Sequence, residues 1–439
     1  MKEDPEMHGT ISERQRQAMQ EQWEVYARAA FVSLLTACEP REEGTWEAQM
    51  QVWGRAVARD ALTLLITGTA PRYQEQTVAC ACGGQAQYQR QRSAQVQTRL
   101  GGVTYERAYY LCADCHQGWC PRDQELGWCA GSVSRDLMGL VAELGAEWSF
   151  SRVADFLAEQ QGVSLSPTTC QTLTETVGHW MHDTPDASPP APPPSTPLYV
   201  SMDGVMVHDR DEGWKEMRVG SVYTTVESGE QVRAVEQSYV VDRGSVEAFR
   251  QRLWAEFARR GGEQAHEVVV IGDGATWIGN GARDYWPTAT HIVDWYHAVQ
   301  HLHAAHEAIA ERIPEAQAWF VQQKQALWEG KVQQVLDALH AVAWLNEAIA
   351  REETYFVRHH AMMHYDHYRT RGLQIGSGAI ESACKHVVQA RCKQAGMRWS
   401  AAGSLAVATV RAVLRSGRFA ARFAQCPAPI RTSTRRMVA

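Results

Sequence analysis

The sequence has no apolar run approaching the ~20 residues of a membrane-spanning helix. Its opening stretch, MKEDPEMHGTISERQ, lacks the apolar centre that a secretory signal requires. These two absences predict a cytoplasmic protein with no membrane partner. Eleven cysteines in that setting are not expected to pair as disulfides. Acidic residues are missing altogether after Glu381. That stretch carries Lys385, Arg391, Lys393, Arg398, Arg411, Arg415, Arg418, Arg422, Arg431, Arg435 and Arg436, a charge of +11, whereas residues 1–381 hold 32 basic against 50 acidic side chains. The overall charge of −7 therefore averages an acidic body and a polycationic end, and such a division predicts a polyanion as partner.

What is present reads as an ordinary globular chain, 45% apolar and 21% charged. Its 439 residues suggest about two to four domains. Residues 1–75 read as a helical region. Residues 76–130 contain two cysteine-bearing turns around a polar–apolar alternation with Gly101-Gly102 in its middle, the pattern of a hairpin. Over 131–184, one helical face ends at Gly162 and a second helix starts with Ser166 as N-cap and Pro167 in its first turn. That is the outline of a helix-turn-helix, and equally of any helical hairpin. Residues 185–197, PDASPPAPPPSTP, hold seven prolines and read as an extended, semi-rigid linker.

Beyond the linker the pattern changes to strands: PLYVSMDGVMV, MRVGSVYTTV and AVEQSYVV, then an amphipathic helix, then EVVVIGDGA, then ATHIVDWYHA running into a helix. Three antiparallel strands, a helix, a strand, and a strand with a helix is the order of a ribonuclease-H-like α/β fold. VVVIGDGA ends a buried strand on Asp273. In an open α/β sheet, ligands bind at that carboxyl edge. Asp203 sits in the first strand, also followed by glycine, and Glu381 stands in the first turns of a late helix. Two adjacent carboxylates repel unless one keeps a proton or a cation joins them. Hard oxygen donors suit Mg²⁺. Two such ions, about 3.5–4 Å apart, activate an attacking oxygen and stabilise a leaving one at a phosphodiester. Asp203, Asp273 and Glu381 are thus the candidate ligands of two Mg²⁺ or Mn²⁺ ions.

Cys80 and Cys82, with Cys112 and Cys115, supply four thiolates for a tetrahedral structural zinc. The first pair is C-x-C, shorter than the usual C-x-x-C, and His116 or Cys120 stand near enough in sequence to replace one ligand.

SMDGVMV, VVIGDGATWI, HIVDWYHA and IGSGAIESACKHVVQARCKQAGMRWS resemble the conserved blocks of bacterial insertion-sequence DDE transposases of the ISKra type and, more distantly, mutator-like transposases. The resemblance implies a ribonuclease-H-like catalytic core over 198–297 and 371–415, interrupted by a helical insertion at 298–370 and followed by a basic tail at 416–439. It implies that Asp203, Asp273 and Glu381 are catalytic, and that Asp294 and His297 form the D-x-x-H motif. Arg398 and Trp399 are candidates for holding a flipped base or hairpin end, with Lys385, Arg391 and Lys393 as further DNA contacts. By residue type, His297 is either a packed, hydrogen-bonded side chain or a group that orients a phosphate or gives up a proton. The implied function is Mg²⁺-dependent cleavage and strand transfer of the element's own DNA. The implied partners are terminal inverted repeats and target DNA, bound by a homodimer or larger assembly on the nucleoid.

Two other readings exist. His301-Leu302-His303 spells the paired histidines of rolling-circle nucleases, but in a helical run the two rings point apart. A transposase-derived, non-catalytic zinc-ribbon DNA-binding protein is the remaining alternative; the retained carboxylates argue against it.

Overall fold

The computed structural model describes residues 12–37, 46–69, 75–129, 133–228, 231–310 and 312–427. The chain is a mixed α/β protein of two compact units, Met1–Val177 with Cys426–Ala439, and Gly178–Gln425. The expected N-terminal helical region and basic tail fall partly outside the described residues.

The first unit opens with helices α1 (Glu13–Ala37) and α2 (Trp46–Gly68). A short strand β1 (Thr77–Ala79) then pairs with β2 (Gln85–Thr98), and β2 returns antiparallel as β3 (Gly101–Cys112). Gly101 opens the return with φ +109°, a conformation that glycine adopts without strain. β4 (Gly118–Trp119), α3 (Pro121–Glu125), β5 (Trp128–Cys129) and β6 (Val133–Ser134) complete a sheet in the order β4-β3-β2-β6-β5. Val96, Val103, Tyr105 and Trp128 bury one side of it with Ile66 of α2. Helices α4 (Arg135–Glu147) and α5 (Phe150–Gln161) follow, each started by a serine, Ser134 or Ser149, whose hydroxyl accepts a first-turn N–H. Gly162, left-handed at φ +63°, ends α5. Ser166 Oγ accepts the Thr169 N–H at the start of α6 (Pro167–Asp183), which leads into the second unit.

Residues 184–197 contain neither helix nor strand, yet they do not run free. Ala191 donates its N–H to the Arg259 carbonyl at 2.7 Å, and Gln425 holds Asp186 and Ser188 through its Nε2 at 3.0 Å each.

The second unit is built on β7 (Leu198–Asp209), β8 (Gly213–Ser228) and β9 (Gln231–Asp242), which are antiparallel neighbours. Helix α7 (Val246–Arg259) leads to β10 (Val268–Gly272), and α8 (Thr276–Tyr285) leads to β11 (Thr290–Val293). The sheet order is β11-β10-β7-β8-β9, with β10 parallel to both β7 and β11. Strand alternation splits the core between its two faces. Leu198, Val200, Met202 and Val270 pack on α7 and α8 through Phe249, Leu253, Phe257 and Ile278. Tyr199, Val269 and Ile271 face the other way, into helices α9 (Trp295–Ala310), α10 (Ala316–Trp328), α11 (Val332–Ala343), α12 (Glu347–His359) and α13 (Tyr365–Thr370). The chain closes with α14 (Gly378–Ala383), a π-helical turn over Cys384–Gln389, α15 (Ala390–Cys392), α16 (Ala401–Arg415) and α17 (Phe419–Ala424).

Candidate active site and metal centres

Ile271 of β10 lies opposite Ser201 of β7, and Gly272 opposite Val293 of β11. Asp203 therefore stands two residues past Ser201, Asp273 directly after β10, and Asp294 directly after β11. By parity Asp203 follows Tyr199 and Ser201, while Asp273 follows Val269 and Ile271. Both belong to the face that carries the helices after β11. Glu381 is in the first turn of α14, and Cys384, one turn later, places its thiol 3.5 Å from Asp203 Oδ2. That contact ties the helix bearing Glu381 to the strand bearing Asp203.

The tightest ligand-capable group among these residues is Asp294, His297 and Glu381, whose ligand atoms all lie within 4.8 Å of one another. Asp203 and Asp273 are outside this tight set but within electrostatic reach. Burial raises the Asp203 carboxyl above its usual range, and the Asp273 charge raises it further. His297 is raised mainly by its hydrogen bond to Asp294, against burial, with the charges of Asp273 and Glu381 adding to the rise. The five residues thus form one electrostatic site.

Within it Asp294 is committed to structure. It is fully buried. Its Oδ1 accepts the His297 N–H at 2.7 Å and meets His297 Nδ1 at 3.0 Å, while Oδ2 accepts the Ser377 N–H. Burial alone would raise its carboxyl, but these bonds hold it below the usual range. Asp294 caps α9, aims the His297 ring and pins the loop before Glu381. Asp273 Oδ1 accepts the Ala275 N–H at 2.7 Å, and Glu381 Oε1 accepts the Ser377 hydroxyl at 3.2 Å. The residues fit a hard divalent cation: Asp203, Asp273 and Glu381 offer carboxylate oxygens, and a cation would offset the burial and the Asp273 repulsion that disfavour the ionised Asp203.

The DNA-contact candidates divide. Lys385, Lys393 and Arg398 are exposed. Arg391 is 1% exposed, with its guanidinium 4.8 Å from the centre of the Trp399 ring, and Trp399 is itself buried and donates Nε1–H to the Cys392 carbonyl. These two form an interior pair with no surface to offer DNA. Arg411 and Arg422 are buried as well and donate to main-chain carbonyls, those of His386 and Val387 and those of Met181 and Thr184. Arg391, Arg411 and Arg422, three of the eleven basic residues after Glu381, are thus enclosed in the protein. His301 and His303 lie in α9, not on a strand.

Several participants escaped the sequence reading. Ser377 and Cys384 are ordinary small residues in a loop and a helix. Tyr355 and Tyr365 read as aromatic core on helical faces, but each donates its hydroxyl to a strand-end carbonyl, of Asp273 and Val293 respectively. No periodicity marks such a bond.

In the other unit, the long β2–β3 hairpin brings both cysteine turns together. Cys80 directly follows β1 and Cys112 ends β3. The four sulfurs of Cys80, Cys82, Cys112 and Cys115 lie within 4.8 Å of one another. Gly83, at φ +90°, and the Gly83 N–H donated to the Cys80 carbonyl form the first turn, so C-x-C closes by a tight glycine bend. The Cys115 N–H draws the Cys112 thiol down, against burial, to about 7. The Gly84 N–H acts to lower Cys82, but its three neighbouring thiols push it up to about 12. Four sulfurs gathered in this way fit a tetrahedral cation. Neither His116 nor Cys120 belongs to the group.

The fold defines a mixed α/β protein, and among the described residues two groups of side chains could hold a metal ion. The chain belongs to the uncharacterised protein family UPF0236, which matches residues 83–423. A search of curated proteins returns no match.

Proposed function

We propose that this protein is a DDE transposase that cuts and joins DNA in a Mg²⁺-dependent reaction. The observation that carries the reading is the placement of Asp203 and Asp273 on one face of adjacent parallel strands, with Glu381 bound into the same electrostatic site. The sheet order, three antiparallel strands followed by two parallel ones, supports a ribonuclease-H-like core, and α9–α13 stand where the helical insertion is expected. The bound ions would supply charge neutralisation at the phosphodiester and a more acidic attacking oxygen. Asp203, Asp273 and Glu381 would hold them. His297, aimed by Asp294 and raised above its ordinary value, would donate a hydrogen bond to a phosphate or leaving oxygen.

In the first step a water oxygen adds to phosphorus, the 3′-oxygen leaves with a proton, and a free 3′-hydroxyl remains beside a 5′-phosphate. In the second that hydroxyl attacks a target phosphodiester and expels its 3′-oxygen. No covalent bond to the protein forms in either step. The four-cysteine group supports a structural zinc ribbon, and with the α5–α6 pair it would read the terminal repeats. Exposed Lys385, Lys393 and Arg398 would neutralise phosphates, so binding should weaken with salt by a slope near −0.9 per phosphate contacted.

The test is cleavage of DNA bearing the element's own ends, in Mg²⁺, by the wild type and by Asp273→Asn. The variant should bind DNA with wild-type affinity and leave it uncut. Equal cutting by both removes Asp273 from the chemistry. Binding without cutting by the wild type favours a non-catalytic DNA-binding protein.

A further inference from the structure

Three tyrosines from the helices after β11 end on main-chain carbonyls at β10 and β11, two of the three strands that carry the site. Tyr355 of α12 donates to the Asp273 carbonyl at 2.9 Å. Tyr365 of α13 donates to the Val293 carbonyl, next to Asp294, at 3.0 Å. Tyr368 donates to the His291 carbonyl at 3.3 Å. Burial raises all three phenols above their ordinary range, so they remain donors. Tyr355 is the most tightly held. The His301 ring stacks on it at 3.6 Å between centroids, and His301 Nδ1 is itself 2.6 Å from Glu352 Oε2. The turn it touches is unusual. Gly274 has φ +88°, and a Cβ there would stand 2.9 Å from Tyr355 Cε2 and 3.2 Å from His359 Cε1. The turn after Asp273 is thus pressed against α12 with no room for a side chain.

We propose that Tyr355 is a positioning residue that locks the Asp273–Gly274 turn and thereby sets how tightly the carboxylate site holds a divalent cation. The helices after β11 would on this account build the site as well as surround it. The inference rests on the metal-dependent reading above. Its physical basis is that a strand-end carboxylate is only as well placed as the backbone after it, and one hydrogen bond to that backbone restrains it at little entropic cost.

The test uses the full chain with Tyr355→Phe, which keeps the ring and its stacking and removes only the hydroxyl. Mn²⁺ binding is read by electron paramagnetic resonance, exchange of the Ala275 amide by hydrogen exchange, and DNA cleavage as a function of Mg²⁺ concentration. The expected result is roughly two- to tenfold weaker Mn²⁺ binding, the size of one lost hydrogen bond. Ala275 should exchange faster, and the cleavage rate should return to the wild-type value at saturating metal. Wild-type Mn²⁺ affinity and unchanged Ala275 exchange in the variant would overturn this inference alone. Wild-type protein that binds no Mn²⁺ would overturn it together with the functional reading. A cleavage defect that persists at saturating metal, with unchanged Mn²⁺ affinity, would also overturn it.

Discussion

Asp294 and Ser377 are 83 residues apart in sequence, and the Ser377 main-chain N–H donates to Asp294 Oδ2. The same carboxylate aims His297 and caps α9 through its other oxygen. One buried side chain thus fixes the β11–α9 junction, the histidine and the approach to Glu381.

Asp294→Asn should break this arrangement, because an amide cannot accept on both oxygens. Whichever way it turns, an NH₂ group faces a donor. The cost should be roughly 1–3 kcal/mol, read as a lower denaturant midpoint. In an NMR titration, His297 should fall toward the unperturbed value of about 6.5. An unchanged His297 titration would show that Asp294 does not raise it.

The cysteine group should hold one zinc per chain by metal analysis. Cys112→Ser should lose it, and with it the ordered β2–β3 base, whereas Cys120→Ser should keep full zinc. Retention of zinc by Cys112→Ser would exclude the four-thiolate site.

A third expectation concerns pH. Asp242 Oδ2 lies 3.3 Å from His182 Nε2 and accepts from Arg252 Nε at 2.7 Å. Burial would raise Asp242, but His182, the Gly244 N–H and Arg252 hold it below its usual range. His182 is raised chiefly by Asp242, with burial and Arg252 opposing and Asp183 assisting. A depressed carboxylate stabilises above its unfolded pKa of about 3.9 and loses that contribution as pH falls through its folded value. A raised histidine stabilises below about 6.5 and loses its share as pH rises through its folded value. The penalty of Asp242→Asn should therefore peak between about pH 4 and 6.5, near 2 kcal/mol, and shrink on both sides. Denaturant midpoints of both proteins from pH 3 to 8 would check this. A penalty that keeps growing to pH 8 would contradict it.

Gly178→Ala tests close packing. In an open helix this change stabilises. Here a Cβ would lie 2.2 Å from the Ala406 carbonyl oxygen of α16, a backbone atom that cannot swing aside. A loss of about 1–3 kcal/mol is expected, and a stability gain would show that the helices part easily.

Much of the scaffold was legible in local pattern. Alternation marks β7, the β-branched run of VVVI marks β10, serine and glycine mark the ends of α5 and α6, and the paired cysteines mark a cluster. These are signals of period 2, period 3.6 and local capping, and each is decided within a few residues. Parity along a strand even assigns Asp203 and Asp273 to one face. Tertiary structure decided the rest. Asp294 appears in sequence as the aspartate of a D-x-x-H motif, and in the fold three donors from two segments occupy it. Arg391, Arg411 and Arg422 look like part of a solvated cationic tail, but carbonyls and an indole enclose them. Tyr355 looks like core packing, but it ends on the carbonyl of Asp273. Ser377 for Asp294, the carbonyls that hold Arg411 and Arg422, and the Asp273 carbonyl for Tyr355 all come from distant stretches of chain. Only the folded register sets which donor meets which acceptor, and residue type alone does not say whether a polar group faces water or another part of the protein.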